Sequence, residues 1–160
     1  HGLVAKGPFH YEDLIRVPFL VRWPGTVPAG RRCDALQSLV DLPQTFLSAL
    51  GLPAPRTMTG VDQLSVWKGQ APSARNHVVV ENHHQPTTIH VKTYVDERYK
   101  ITVYWDREYG ELFDLREDPD EIRNLWNQPE AKELKAALLL RFLSAEMGKE
   151  PLWMPRIAGA

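Results

Sequence analysis

Between His77 and Leu115 the sequence changes texture, and that change restricts the folds open to this chain more than any other feature. The runs HVVVEN, TTIHVKTYV and YKITVYW concentrate Val, Ile, Thr, Tyr and Trp, residues that fit a pleated, half-buried surface. Turn-like breaks at Gln85-Pro86 and Asp96-Glu97-Arg98 separate them, and Gly110 to Leu115 supplies a fourth run. The four together read as an antiparallel meander. A sheet of this size needs a cover, and the sequence after Pro129 offers one. Leu134, Leu138, Phe142 and Ala145 recur at helical spacing, which predicts a helix laid on the sheet. The intervening DPDEIRNL reads as a short helix start, with Asp118 as cap, Pro119 at the first helical position and Glu121 where a capping box wants it. The tail after Gly148, PLWMPRIAGA, has no period.

The first half of the chain has a different grammar. Pro8 to Arg16 reads as a loop entering a helical turn. Pro18 then favours an extended start for Phe19-Leu20-Val21-Arg22-Trp23, whose apolar content predicts a strand buried on both faces, as in an α/β sheet. SLVDLPQTFLSALG predicts a helix that Asp41 caps and Gly51 stops, with Leu42, Phe46, Leu47 and Leu50 on one stripe at helical spacing. A proline-rich link leads to a short turn at Leu64 to Lys68, and the composition shift at Gly69–Ser73 marks a boundary. The expected division is residues 1–72 as the end of an α/β domain and residues 73–160 as a sheet-plus-helix subdomain.

Charge narrows the partners. Lys plus Arg is 19 against 20 for Asp plus Glu, a net charge of −1, so the chain lacks the basic face that a nucleic-acid backbone demands. No apolar run approaches membrane-spanning length. Cys33 is the single cysteine, so no internal disulfide can form, and C-D-A-L-Q matches no nucleophile pattern.

The motif blocks point further. H-G-L-V-A-K-G-P-F-H-Y-E followed by R-V-P-F-L-V-R-W-P-G resembles the C-terminal half of a type I, formylglycine-dependent sulfatase of the alkaline phosphatase superfamily. The resemblance continues through D-A-L-Q-S-L-V-D-L-P-Q-T, A-L-G-L-P, R-Y-K-I-T-V-Y and E-L-F-D-L-R-E-D-P-D-E-I-R-N-L, in the family's order, from Gly2 to about Leu125. It implies a fold in which the end of a sulfatase-like α/β sandwich is followed by a small antiparallel sheet packed on a C-terminal helix. It also implies that Lys6 contacts the sulfate group. A sulfate ester gathers further charge on its oxygens as the S–O bond breaks, and a fixed ammonium stabilises that charge. Gly2 and Gly7 let the backbone approach closely, and Pro8 stiffens the turn.

The same resemblance shows what this sequence lacks. The family's nucleophile is a formylglycine made from the cysteine of C-x-P-x-R or C-x-A-x-R, and neither motif occurs here. The family's calcium ligands lie upstream of the lysine block, and His1 matches the histidine of the later H-G, not a ligand. The expectation is therefore a C-terminal piece with no metal or cofactor of its own, calcium and formylglycine belonging to the intact enzyme. Alone, it is expected not to hydrolyse sulfate esters. Its partner in the intact enzyme would be a sulfate ester substrate, with no nucleic acid and no membrane, and the family suggests a periplasmic or extracellular setting. A phosphonate or phosphate monoester hydrolase of the same superfamily is the neighbouring alternative. A non-catalytic assembly module, self-associating through an exposed sheet edge, is the alternative from a different class.

Four histidines, His77, His83, His84 and His90, surround the expected first hairpin. Period two places His77 and His83 on one face and His84 on the other. They show no recognised zinc-ligand spacing, so no metal is assigned. By the resemblance, loops here lie beside the pocket mouth, which makes His83 and His84 candidate substrate contacts. His10 is open between a pocket wall and packing against Tyr11. Arg31-Arg32 is open between guiding an anion and simple solvation, and the acidic Glu111, Asp114, Glu117 and Asp118 receive no catalytic role.

Overall fold

The structure is a computed structural model that describes residues 1–2, 7–84 and 88–149. Packing divides the chain into two compact units, His1–Phe19 with His77–Leu143, and Leu20–Asn76 with Ser144–Ala160. The sheet begins at His77, and the first unit joins it to the segment His1–Phe19.

In the first unit, β1 (His77–His84), β2 (Ile89–Asp96), β3 (Tyr99–Tyr104) and β4 (Gly110–Asp114) form an antiparallel sheet in the order β1-β2-β3-β4. The meander follows the sequence expectation element by element. The turn between β2 and β3 is closed by Asp96, whose Oδ1 accepts the amides of Arg98 and Tyr99 at 2.9 and 2.7 Å. Register sets Tyr94 opposite Ile101 and Ile101 opposite Leu112, one apolar row across three strands. The helix α4 (Lys132–Gly148), entered through a 3-10 turn at Pro129–Ala131, buries Leu138, Phe142 and Ala145. Phe142 lies 6.0 Å from the Tyr94 ring, so the expected cover is in place. No helix among the described residues is long and apolar enough to cross a membrane.

The segment expected as a helix start at DPDEIRNL is a turn instead. Asp118 does cap, its carboxylate accepting the amides of Ile122 and Arg123 at 3.0 and 2.8 Å. Glu121, however, takes φ of +54°, which ends any helical path and turns its side chain inward. Asn124 then fastens the chain to β4: its Oδ1 accepts Leu112 N and its Nδ2 donates to Gly110 O. Gly110 sits against the Trp126 ring so closely that any Cβ there would collide with it.

In the second unit, α2 (Asp41–Ala49) ends in a Schellman motif. Gly51 at φ of +69° lets Leu52 N reach Leu47 O and Gly51 N reach Ser48 O. The apolar stripe is only partly covered, with Leu42 and Leu47 half-buried. Phe46 and Leu50 are 54% and 72% exposed, whereas Asp41 and Thr45 are fully buried. Asp41 is a hub, not a surface cap. Its carboxylate accepts Ser38 N, Val61 N and Gln63 Nε2 and pairs with Arg75. Thr45 Oγ1 accepts Gln63 N just before α3 (Leu64–Trp67), so a polar network holds α2 to α3. The strand expected at Phe19–Trp23 does not form: none of these residues belongs to a strand, and Leu20 is 94% exposed. Apolar content alone does not make a strand, which also needs a ladder with a neighbouring strand.

Candidate functional site

The face of the sheet opposite α4 is polar. Thr93 opposes Thr102, Thr102 opposes Glu111, and Val95 opposes Lys100, so strand alternation brings Thr93, Thr102, Glu111, Lys100 and Tyr104 onto one side. Onto this side folds the chain that follows the K-G-P motif. His10 Nδ1 lies 2.8 Å from Thr93 Oγ1, which lies 2.8 Å from Thr102 Oγ1. Lys100 Nζ donates to His10 O at 2.9 Å, lies 3.3 Å from Glu12 Oε1 and pairs with the buried carboxylate of Glu121. Glu121 also accepts Glu12 N, at the start of α1 (Glu12–Ile15). The Tyr11 hydroxyl donates to Glu111 Oε1 at 2.9 Å. Tyr109 donates to the same oxygen at 3.1 Å and Tyr104 to Oε2 at 3.0 Å.

Electrostatics follow from that burial. Desolvation, aided by the Lys100 charge, lowers the His10 imidazole to about 4, so it is neutral at physiological pH. Burial first, and Glu111 second, raise the Tyr11, Tyr104 and Tyr109 hydroxyls, which stay protonated as donors. Burial raises the Glu121 carboxyl, and hydrogen bonding to Lys100 opposes that rise. At the sheet rim the fork of Arg98 meets both oxygens of Asp114, Nε donating to Oδ1 and Nη2 to Oδ2, which holds that carboxyl low.

These contacts fix both ends of the opening motif. The His1 ring stacks on Tyr11 with centroids 3.7 Å apart and planes 11° from parallel. Gly7 takes φ of +61° against the Phe9 ring, a backbone that only glycine adopts without strain. Lys6, the candidate sulfate contact, lies outside the described residues, as does the Gln85-Pro86 turn. His10 resolves as a buried packing residue of the sheet. Arg31 donates to Val66 O at 2.5 Å, a structural bond within the second unit, whereas Arg32 lies exposed beside Asp34.

His83 and His84 fall on opposite faces of β1, so a ligand held against one face meets only one of them. His83 is gathered with Glu81 and His90. Glu81 escaped the sequence reading. The signal was E-x-H along a strand, which shares one face, with His90 opposite His83 across the hairpin. This is the one group of three or more His, Cys, Asp or Glu side chains among the described residues that could converge on an ion. Its two imidazoles do not suit calcium, which takes six to eight oxygens. Cys33 is free and exposed.

The comparisons agree with the motif blocks. The family described as "N-sulphoglucosamine sulphohydrolase, C-terminal" matches residues 1–147. The chain is 27% identical to the Delta 4,5-hexuronate-2-O-sulfatase of Bacteroides thetaiotaomicron over 85% of its own length and 29% of that protein. It is 31% identical to human arylsulfatase K over 72% of its length and 23% of that enzyme. It thus spans less than a third of these relatives. A protein solved in complex with its substrate, D-glucosamine-2-N,6-O-disulfate, has the same fold over 86% of this chain and 29% of its own, with a TM-score of 0.74 at 18% identity. With 147 of its 160 residues matched, the chain belongs to the N-sulphoglucosamine sulphohydrolase C-terminal family, a sulfatase family.

Proposed function

We propose that this chain is the C-terminal part of a sulfuric ester hydrolase and that it carries the enzyme's sulfate-contacting lysine, Lys6. The observation that carries this reading is the anchoring of the residues on either side of the H-G-L-V-A-K-G-P block. His1 stacks on Tyr11, and residues 10–12 are tied to the sheet by Thr93, Lys100, Glu111 and Glu121. A rigid platform of that kind is what aims a cation at an anion, because an ammonium fixed in place costs no reorganisation when charge develops. In the intact enzyme the ammonium of Lys6 stabilises the negative charge accumulating on the sulfuryl and leaving oxygens. The nucleophile and calcium come from sequence outside this chain, so the chain alone turns over no sulfate ester.

Exposed apolar side chains support the partial character. Leu20, Leu39, Phe46 and Leu50 present surface that a longer sulfatase would cover, and the chain by itself would bury some of it by self-association. A phosphonate monoester hydrolase from Silicibacter pomeroyi shares the fold with a TM-score of 0.71 at 22% identity, but the family match and the named sequence relatives favour sulfate.

Titration of the 160-residue chain with sodium sulfate, followed by backbone NMR shifts, tests the role of Lys6. Weak, saturable binding is expected that Lys6→Ala abolishes and that methylphosphonate matches less well. Equal affinities in both proteins reject the assignment, and any hydrolysis of an aryl sulfate by the pure chain rejects the division of labour.

A further inference from the structure

His83 and His90 are directly opposed across β1 and β2, and Glu81 precedes His83 by two residues on the same face. The His83 Nε2 atom lies 2.8 Å from Glu81 Oε1, and His90 Nε2 lies 3.2 Å from the same oxygen. The two rings are 3.5 Å apart by centroid, and one ligating atom from each of the three residues falls within 4.8 Å of the others. A tetrahedral zinc ion with bonds of about 2.0–2.1 Å holds neighbouring ligand atoms about 3.3 Å apart. The three side chains therefore already stand at nearly the spacing of one face of such a tetrahedron. Small rotations about exposed χ angles would close the rest, since His83 is 56% and Glu81 34% exposed at the side chain.

We propose that the β1–β2 hairpin binds a borderline divalent ion of the zinc type through His83, His90 and Glu81, leaving the fourth position open to water or an anion. Two imidazoles and one carboxylate are a donor set that zinc accepts and that calcium and magnesium do not favour. The strands supply the preorganisation: register fixes the two histidines opposite each other, and period two fixes the glutamate beside them. The proposal rests on β1 and β2 alone and does not depend on the sulfatase reading. One feature works against the ion. Lys92, opposite Glu81 in register, holds its ammonium 3.4 Å from the same carboxylate oxygen and must be displaced or left as a like charge nearby. That conflict yields a distinctive expectation, because removing Lys92 should tighten binding.

The test is titration of the full chain with zinc chloride by calorimetry, with cobalt(II) in parallel to read tetrahedral geometry from its visible absorption. One ion per chain is expected, with a strong cobalt band. His83→Ala, His90→Ala and Glu81→Gln should each weaken binding by at least the about tenfold that loss of a mere outer-shell partner costs. Lys92→Gln should strengthen it, and His84→Ala, on the opposite face, should leave it unchanged. These positions are exposed or half-exposed, and an unchanged far-ultraviolet circular dichroism spectrum verifies that each variant folds. Binding that survives both histidine substitutions overturns the proposal. So does a weak octahedral cobalt spectrum, or a Lys92→Gln variant no tighter than the parent.

Discussion

Replacing Lys100 with methionine tests whether the sheet's polar face holds the opening motif in place. Lys100 and Glu121 are 1% and 2% exposed at the side chain, so neither charge has water to fall back on. Removing one partner of such a pair leaves the other as an uncompensated buried charge, at a cost of about 3–5 kcal/mol. The His10 carbonyl loses its ammonium donor in the same step. With a urea m-value of about 2 kcal/mol/M, the unfolding midpoint should fall by roughly 2 M. The loss should also depend on pH with a definite sign. Glu121 already binds its proton more tightly than in the unfolded chain, and without Lys100 nothing offsets that burial. A carboxyl with a raised folded pKa loses stability as pH climbs from the unfolded value through the folded one, so the variant's deficit should be larger at pH 8 than at pH 5. Adding Glu121→Gln should recover much of the deficit at pH 8, because the isolated charge is gone. Amide hydrogen exchange should locate the damage, with protection falling at residues 10–15 before the β2–β3 ladder. A deficit below about 1 kcal/mol, or one equal at both pH values, would refute the account of a buried pair fastening this segment.

Two further perturbations probe the remaining buried polar groups. His10 is neutral in the fold and titrates at about 4, against 6.5 ordinarily, so its contribution is whole above pH 6.5 and disappears as pH falls toward 4. The gap between those values corresponds to about 3 kcal/mol, and histidine NMR should show the His10 Hε1 resonance stationary from pH 8 to 5; a midpoint near 6.5 would contradict its burial. In the second unit, Asp41→Ala takes the shared carboxylate from Arg75, Gln63 and the Val61 amide together, and should cost about 3–5 kcal/mol in a urea melt. Asp41→Asn should retain part of that loss through its carbonyl oxygen, and an Asp41→Ala protein as stable as the parent would show that the hub carries no weight.

What the sequence revealed, and what it hid, separates along a physical line. The strands were legible because β-branched and aromatic residues alternate between turn residues, a pattern set by local geometry alone. The α4 stripe was legible for the same reason, and Gly51 declared the end of α2 through the backbone conformation that glycine favours. Apart from the apolar run Phe19–Trp23, which forms no strand, the failures concern polar residues whose partners lie far along the chain. Asp41 looks like an N-cap, but its fate depends on Val61, Gln63 and Arg75, some twenty to thirty-four positions away. Apolar spacing on α2 marked one stripe, yet its Phe46 and Leu50 are exposed while the polar Asp41 and Thr45 are the fully buried side chains of that helix. Glu121 satisfied a capping-box pattern, and the pull of Lys100 across the sheet won. The Glu81, His83 and His90 cluster needed strand register, which E-x-H spacing alone does not supply.

The blocks that carry the family likeness are also the blocks that grip one another. R-Y-K contributes Arg98, which forks onto Asp114 of E-L-F-D-L, and Lys100, which meets Glu121 of D-P-D-E. The same stretch supplies Glu111 to Tyr11 of the opening block, and its final N-L supplies Asn124 and Leu125 to the free edge of β4. Leu125 N donates to Leu112 O at 2.8 Å, so that edge is closed by the chain's own return rather than left for another molecule. The opening block and two stretches some ninety to a hundred residues further along thus meet on one face of a four-stranded sheet, each satisfying a charge or hydroxyl that another buries. Such a network tolerates no single loss cheaply, because each member left behind is a buried polar group without its partner. The residue types in these blocks are therefore explained by the platform they build, and the platform holds the chain on either side of a lysine whose proposed work is to face an anion.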